Sequence, residues 1–288
     1  MKPPTLPSRA FKNALFTGAL RIALFICLAI LVFLIGSIVF EGFKALSPNF
    51  ITLEARDFGA AGGIRYQLVG SLILIAVAAL LVLPFALGTA LYRAEYVSSE
   101  RLGRRIDLAI FSLNGIPSIT YGLFGLIIFV NIFGMGISWL IGSILLAMMI
   151  LPTVTVSTYQ AMRAIPNSYR ENALALGLTR SEMIRKVILP QSLHGLVTGL
   201  LIGLARAIGE TAPIMFVATA FSGVTWPQTI FEPVSTLPTH ILALAQQATN
   251  PNALKNAWGA SLSLIILVMG LSLLAFIARH KLQPKRSI

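Results

Sequence analysis

Charge is what this sequence has least of. Only 11% of its 288 residues are Asp, Glu, Lys or Arg, against about a quarter in an ordinary soluble domain. Apolar residues make up 56%, so the composition excludes a soluble globular protein and indicates an integral membrane one. Cysteine is nearly missing as well. Cys27 stands alone inside an apolar run, which excludes an intramolecular disulfide and gives no sign of a redox or metal centre. None of the seven lysines follows a glycine, so the G-x-x-x-x-G-K-[ST] loop that cradles nucleotide phosphates is absent. The chain is expected to be no enzyme and to hold neither metal nor cofactor.

What is there is a series of charge-free blocks. A helix needs about 20 apolar residues to cross the hydrocarbon core. Ile22 to Phe40, Tyr66 to Tyr92 and Asn256 to Ala278 each supply one span. Leu108 to Met162 is long enough for two, and the turn residues NIFGMG at Asn131 to Gly136 divide it. A fifth block, about Leu193 to Phe221, is the only one with charges inside it. With the two halves of the long block counted separately, six spans result. Runs of this length are not the short alternating segments of a membrane barrel, so the expected fold class is all-α and polytopic. The first span is too long for a secretory signal, and Glu41-Gly-Phe-Lys44 is no small-residue cleavage site.

Basic residues accumulate in short cytoplasmic loops. With both termini inside, 17 Lys and Arg fall in cytoplasmic segments, around residues 2–21, 93–105, 163–186 and 279–286. Only Lys44, Arg56, Arg65 and Lys255 fall outside. The formal charge of +12 is thereby explained by topology, without nucleic-acid binding. His194, near a membrane boundary, and His240, in the outer loop, have no ligand-spaced partner and read as surface residues.

The longest cytoplasmic connection, about 159–192, looks built. Pro166 disfavours helix at Ile165, and Ser168 with Glu171 has capping-box spacing, so a short helix starts there. Gly177 ends it. Thr179 and Glu182 repeat the spacing for a second helix, which Pro190 ends or marks as it leaves. The result is either an ordinary amphipathic loop or a rigid two-helix elbow able to take force from another subunit.

Glu171-Asn172-Ala173, three residues, Gly177, nine residues and Val187-Ile188-Leu189-Pro190 resemble the EAA loop of ABC-transporter permeases. Asn172 and Val187 are mild departures from that pattern. GGIRYQLVGS (Gly62 to Ser71), NGIPSITYGLFG (Asn114 to Gly125), MMILP (Met148 to Pro152) and RAIGETAPI (Arg206 to Ile214) are similar to the phosphate-specific permeases of the PstA type. The resemblance runs from about Gly62 to Ala278. It implies an ABC importer permease fold in the inner membrane, with residues 62–279 as the permease domain. Residues 1–61 then hold a cytoplasmic tail, the first span and an external loop, and residues 280–288 a cytoplasmic tail. It also implies a second, related permease subunit in a heterodimer, a cytoplasmic ATPase dimer and an extracytoplasmic phosphate-binding protein. Glu171, Ala173 and Gly177 would then meet the ATPase, within an elbow that also uses Ser168, Thr179, Glu182, Leu189 and Pro190.

In the fifth span Gly195, Gly199 and Gly203 recur every four residues, with Arg206 and Glu210 continuing on the same helical face. Small residues at this spacing admit a neighbouring helix, so the charges are expected to face the bundle. Two charges inside a span invite an explanation. One is a structural i,i+4 ion pair. The other is that Arg206 offers its fork of donors to a tetrahedral oxyanion, with Glu210 holding the fork and Thr211 nearby. Pro213 cannot donate to the Gly209 carbonyl, so a kink is expected beside Glu210, as hinge or packing device. The outer loop, about 222–255, contains a partly one-sided helix expected on the outer membrane face. Rival functions are an ABC permease for another oxyanion or small solute, an ion-driven secondary transporter using Glu210, and a membrane-embedded enzyme.

Overall fold

A computed structural model of the chain describes residues 7–219, 226–247 and 249–282. Without water in the hydrocarbon core every backbone group must be satisfied within the chain, and the apolar blocks are accordingly helices. Helix α1 (Pro7–Phe43) is exposed along most of its length. It meets the rest through its last turns, where Gly42 comes close to Trp258 and Leu262 of α12 (Pro251–Leu282). A short α2 (Pro48–Thr52), capped by the Ser47 hydroxyl, leads into paired two-residue strands β1 (Ala55–Arg56) and β2 (Ala61–Gly62).

Helices α3 (Arg65–Leu91), α6 (Trp139–Arg163) and α9 (Leu189–Ala207) form the centre of the bundle. Leu74, Leu145, Ile150, Val154 and Ala207 are buried between them. The glycine row of α9 lies against α6. A Cβ at Gly195 would collide with Ala161, and one at Gly199 would lie 2.6 Å from the Ser157 Cβ. That closeness lets the Ser157 hydroxyl donate across the helices to the Gly195 carbonyl at 2.8 Å.

Among the described residues five helices are long and apolar enough to cross a membrane. The sixth expected span is a bent pair. Helix α4 (Glu100–Asn114) meets α5 (Ser118–Gly125), prolonged by a wide turn at Leu126–Ile132, at 88°. Pro117 withdraws its own N–H and disfavours helix at Ile116, which makes the stretch Gly115 to Ser118 a full corner. The predicted hairpin turn is present, with Gly134 at φ 64° and Gly136 at φ 72°.

Several local expectations differ from the structure. The fifth span does not run on as a kinked helix: α9 stops at Ala207, and a separate α10 (Ala212–Val217) follows. The break places Pro213 in the first turn of a new helix, where a missing N–H costs nothing. The remainder of that expected span, from residue 220, lies outside the described residues. Pro190 does not end a helix either. Helix α8 (Arg180–Met183) passes through a π-type turn, Ile184–Ile188, into α9, giving one helix from Arg180 to Ala207. The Leu189 N–H reaches back five residues to the Ile184 carbonyl, and this widened turn accommodates the proline. Finally, α11 (Leu237–Gln246) is packed into the bundle rather than laid on its outer face. Leu237, His240 and Leu244 are buried, and the Leu237 N–H bonds the Ser71 hydroxyl of α3 at 2.9 Å.

His240 is therefore no surface residue. It is 7% exposed, its Nδ1 lies 3.4 Å from the Gln67 amide, and burial brings its pKa down to about 4. Gly59, at φ 95°, passes so close to the imidazole that a Cβ there would strike it.

Candidate functional site: an anchored elbow and an arginine at a broken helix

The connection between α6 and α9 folds as two helices about a glycine. Helix α7 (Asn167–Ala175) ends with Gly177 at φ 80°. The Gly177 N–H bonds the Leu174 carbonyl at 3.0 Å and the Leu178 N–H bonds the Ala173 carbonyl at 3.1 Å. These two bonds are the Schellman closure, which satisfies carbonyls the helix leaves open. The Thr179–Glu182 capping box then starts α8. The Glu182 N–H donates to the Thr179 hydroxyl, and the Thr179 N–H donates to the Glu182 carboxylate at 3.0 Å. That amide bond, with Lys186 at 3.0 Å and the Thr179 hydroxyl, holds the Glu182 carboxyl down to about 2.

The other expected capping box does not form. Helix α7 begins at Asn167 directly after Pro166, and Ser168 makes no capping bond. The cap falls two residues earlier, at Pro166, because proline there already fixes the backbone entry. Ala173 is buried with Met183 and Ile184, inside the elbow rather than on its face. Glu171 and Leu176 are exposed, and Leu189 packs partly buried against the same cluster.

Sequence reading missed what holds the elbow. Arg170 of α7 forks onto Glu95, in the π-type turn Tyr92–Tyr96 that ends α3. Its Nη2 lies 2.7 Å and its Nε 3.1 Å from Glu95 Oε1. Arg170 also donates to the Ile165 and Met162 carbonyls at the end of α6, at 2.8 and 3.0 Å. Arg180 bonds the Glu95 backbone carbonyl and stacks over Tyr96. Beside this cluster lies a cavity of about 460 Å³ lined by Arg163, Asn167, Leu174 and Met183 among others. A second pair, Arg93 with Asp107, ties α3 to α4 at 2.9 Å. Partners 14 and 75 residues apart in sequence carry no local signal.

The charged residues of the fifth block stand at the break between α9 and α10. Arg206 Nε lies 3.6 Å from Glu210 Oε1. Its Nη1 lies 3.4 Å from the Asn114 amide oxygen, at the corner between α4 and α5. Two helix interruptions thus meet at one arginine. The Arg206 side chain is 47% exposed and Glu210 18%. Because the helix ends at Ala207, Glu210 lies beyond it, and Arg206 turns toward the α4 corner instead of the α6-facing glycine row. Behind the break α5 packs closely on α10, with Gly122 against Ala212, Pro213 and Phe216. Thr211 is the N-cap of α10 and makes no capping bond, and Gly209 has room around it. Among the described residues no three His, Cys, Asp or Glu side chains gather as for a metal ion.

Among the described residues, five long apolar helices, a bent pair and a projecting elbow define an all-α polytopic membrane protein. The backbone matches a chain of a bacterial alginate ABC transporter, crystallised with its alginate-bound periplasmic protein, with a TM-score of 0.66 over 96% of this chain and 98% of that one, at 16% identity. Residues 82–288 match the family of binding-protein-dependent transport system inner membrane components, and the chain belongs to that family. It is 33% identical to the probable ABC transporter permease protein YqgI of Bacillus subtilis, over 93% of this chain and 95% of that protein. It is 32% identical to the phosphate transport system permease protein PstA of Mycobacterium leprae, over 94% and 89%. The chain is thus a multi-pass inner-membrane ABC importer permease. Permeases of this family are not enzymes, and they work in a membrane complex with an ATPase and a substrate-binding protein.

Proposed function

We propose that this chain is one permease subunit of an ATP-driven importer that carries inorganic phosphate into the cytoplasm by alternating access. Its partners in this reading are a second, related permease subunit, an ATPase dimer that receives the α7–α8 elbow, and an external phosphate-binding protein. The charge distribution supports an orientation with both termini and the elbow in the cytoplasm. The transporting unit is residues 62–279, flanked by the first span and a short C-terminal tail.

The observation that carries the phosphate reading is the Arg206 guanidinium at the meeting of two helix breaks. A planar, permanently charged fork suits a tetrahedral oxyanion, and here it is loosely held, at 3.6 Å by Glu210 and 3.4 Å by Asn114. An arriving anion displaces these acceptors, and the nearby carboxylate keeps it from resting too long. The Thr211 hydroxyl, which makes no capping bond, offers a further contact. Several relatives that bear the name of phosphate transport permease, at comparable identity over most of the chain, support the same choice of solute.

The test is labelled phosphate uptake at low external phosphate in cells lacking this gene, restored with the wild-type chain or with Arg206→Gln. At equal membrane abundance the variant should lose about tenfold or more of the uptake, the effect of removing a charged hydrogen bond of about 1.5 kcal/mol or more. Full uptake by the variant makes the arginine structural. No uptake with the wild-type chain rejects phosphate as the solute.

A further inference from the structure

We infer that Glu95 and Arg170 are positioning residues that lock the elbow to the ends of α3 and α6, so that elbow and helices move as one body. The inference rests on the reading above that the elbow receives the motion of the ATPase.

Apart from the continuation of α8 into α9 and the side of Leu91 in α3, the elbow has little else among the described residues to hold it, and nothing else there fixes the angle of α7. Its apolar contacts centre on Ala173, Met183 and Ile184, while Glu171, Leu174 and Leu176 face outward. It joins α6 through Ala164, Ile165 and Pro166, and the cavity beside it leaves space to move. Apolar packing of this extent does not fix an orientation. The guanidinium fork does, because its donors are rigid with respect to one another and are used in three directions at once. One goes to Glu95, whose side chain is 5% exposed, and the others to the two carbonyls at the C-terminal end of α6, where a helix leaves such groups open. Arg180 adds a second tie from the other elbow helix to the same turn of α3.

Stability alone does not call for such a pair, since a buried ion pair is often no better than apolar packing of the same volume. Its geometry does what packing cannot. It fixes the angle of α7 to two helices of the bundle centre, and a push on the elbow then displaces α3 and α6 instead of bending the hinge at Pro166. A lysine at 170 keeps the charge but reaches only one of the three acceptors.

The test uses the full complex of permease pair, ATPase and binding protein in vesicles, with Glu95→Gln or Arg170→Lys in this chain. Spin labels at Phe85 of α3 and Leu176 of the elbow, in a Cys27→Ser background, report the distance between them with and without a non-hydrolysable ATP analogue. The wild-type distance should stay the same in both states, and either variant should broaden it. Phosphate moved per ATP hydrolysed should fall about fivefold or more, the lower end of typical coupling between sites, while hydrolysis continues. A wild-type distance that shifts with nucleotide, or variants with the wild-type distribution or the wild-type transport ratio, overturns the inference. A wild-type complex that hydrolyses ATP but moves no phosphate rejects the phosphate reading instead, and the distances still decide the lock.

Discussion

Replacing Gly195 with alanine should unfold the bundle far more readily than the same change at Gly88, although both glycines lie within helices of the bundle centre. At Gly88 nothing stands within 4 Å of an added Cβ. Alanine there removes only the entropic cost of glycine, a gain of about 0.5–1 kcal/mol. At Gly195 the added carbon would collide with Ala161 and stand 2.9 Å from the Ser157 carbonyl oxygen. Both belong to the backbone or short side chain of α6, which cannot turn aside, so the helices must separate. Forcing an extra carbon into a packed site costs about 1–3 kcal/mol. Separation also lengthens the Ser157 to Gly195 hydrogen bond, and such a bond between membrane helices contributes about 0.6 kcal/mol. The expected loss is about 2 kcal/mol, or about a thirtyfold shift toward the unfolded state. Reversible unfolding of the purified chain in mixed micelles, followed by tryptophan fluorescence, reads this directly. Equal midpoints for Gly195→Ala and Gly88→Ala would refute the argument that α9 is shaped by contact with α6.

Two further predictions concern pH. Glu182 is held in its charged form, with a carboxyl pKa brought down to about 2, so its contribution is complete above about 4.5 and is lost as pH falls through 2. Carbon-13 NMR of the Glu182 carboxyl should show that low midpoint, and Thr179→Val should raise it part of the way, because the backbone amide remains. His240 is kept neutral by burial, with a pKa of about 4 against an ordinary 6.5, so the unfolded chain takes up its proton first and stability should fall from pH 6.5 to 4. Thermal unfolding at pH 7 and pH 5 should show a smaller fall in His240→Gln; an identical fall in both proteins would mean the imidazole is solvated.

Much of this was legible because the signals are local. The apolar blocks, the turn glycines 134 and 136, the Gly177 stop and the Thr179–Glu182 box each depend on residues within one helical turn or one run of chain. Ser168 and Glu171 had the same spacing as that box and failed, because Pro166 had already set the helix start. Pro190 and Pro213 mark interruptions in the sequence, yet what the chain does with a missing N–H depends on its surroundings. It inserted a π-type turn ahead of one and broke the helix ahead of the other. His240 and the Arg170–Glu95 pair were invisible, since burial and partnership across the bundle follow from tertiary packing. In the candidate site Arg206 and Glu210 stood out as charges in an apolar run, whereas Asn114, uncharged and 92 residues away, did not.

The unbroken passage from α8 into α9 has a mechanical consequence. Its 28 residues make a rod about 42 Å long, at about 1.5 Å per residue. A tilt of about 10° about its middle, with α3 and α6 carried along through the Arg170–Glu95 tie, would swing each tip by about 3–4 Å, in opposite directions. One tip is the elbow and the other is Arg206, so a small rocking at the protein surface becomes a displacement comparable to a hydrogen-bond length at the guanidinium. A lever of that ratio needs no hinge of its own, and the corner at Asn114 is where its far end would make or break contact.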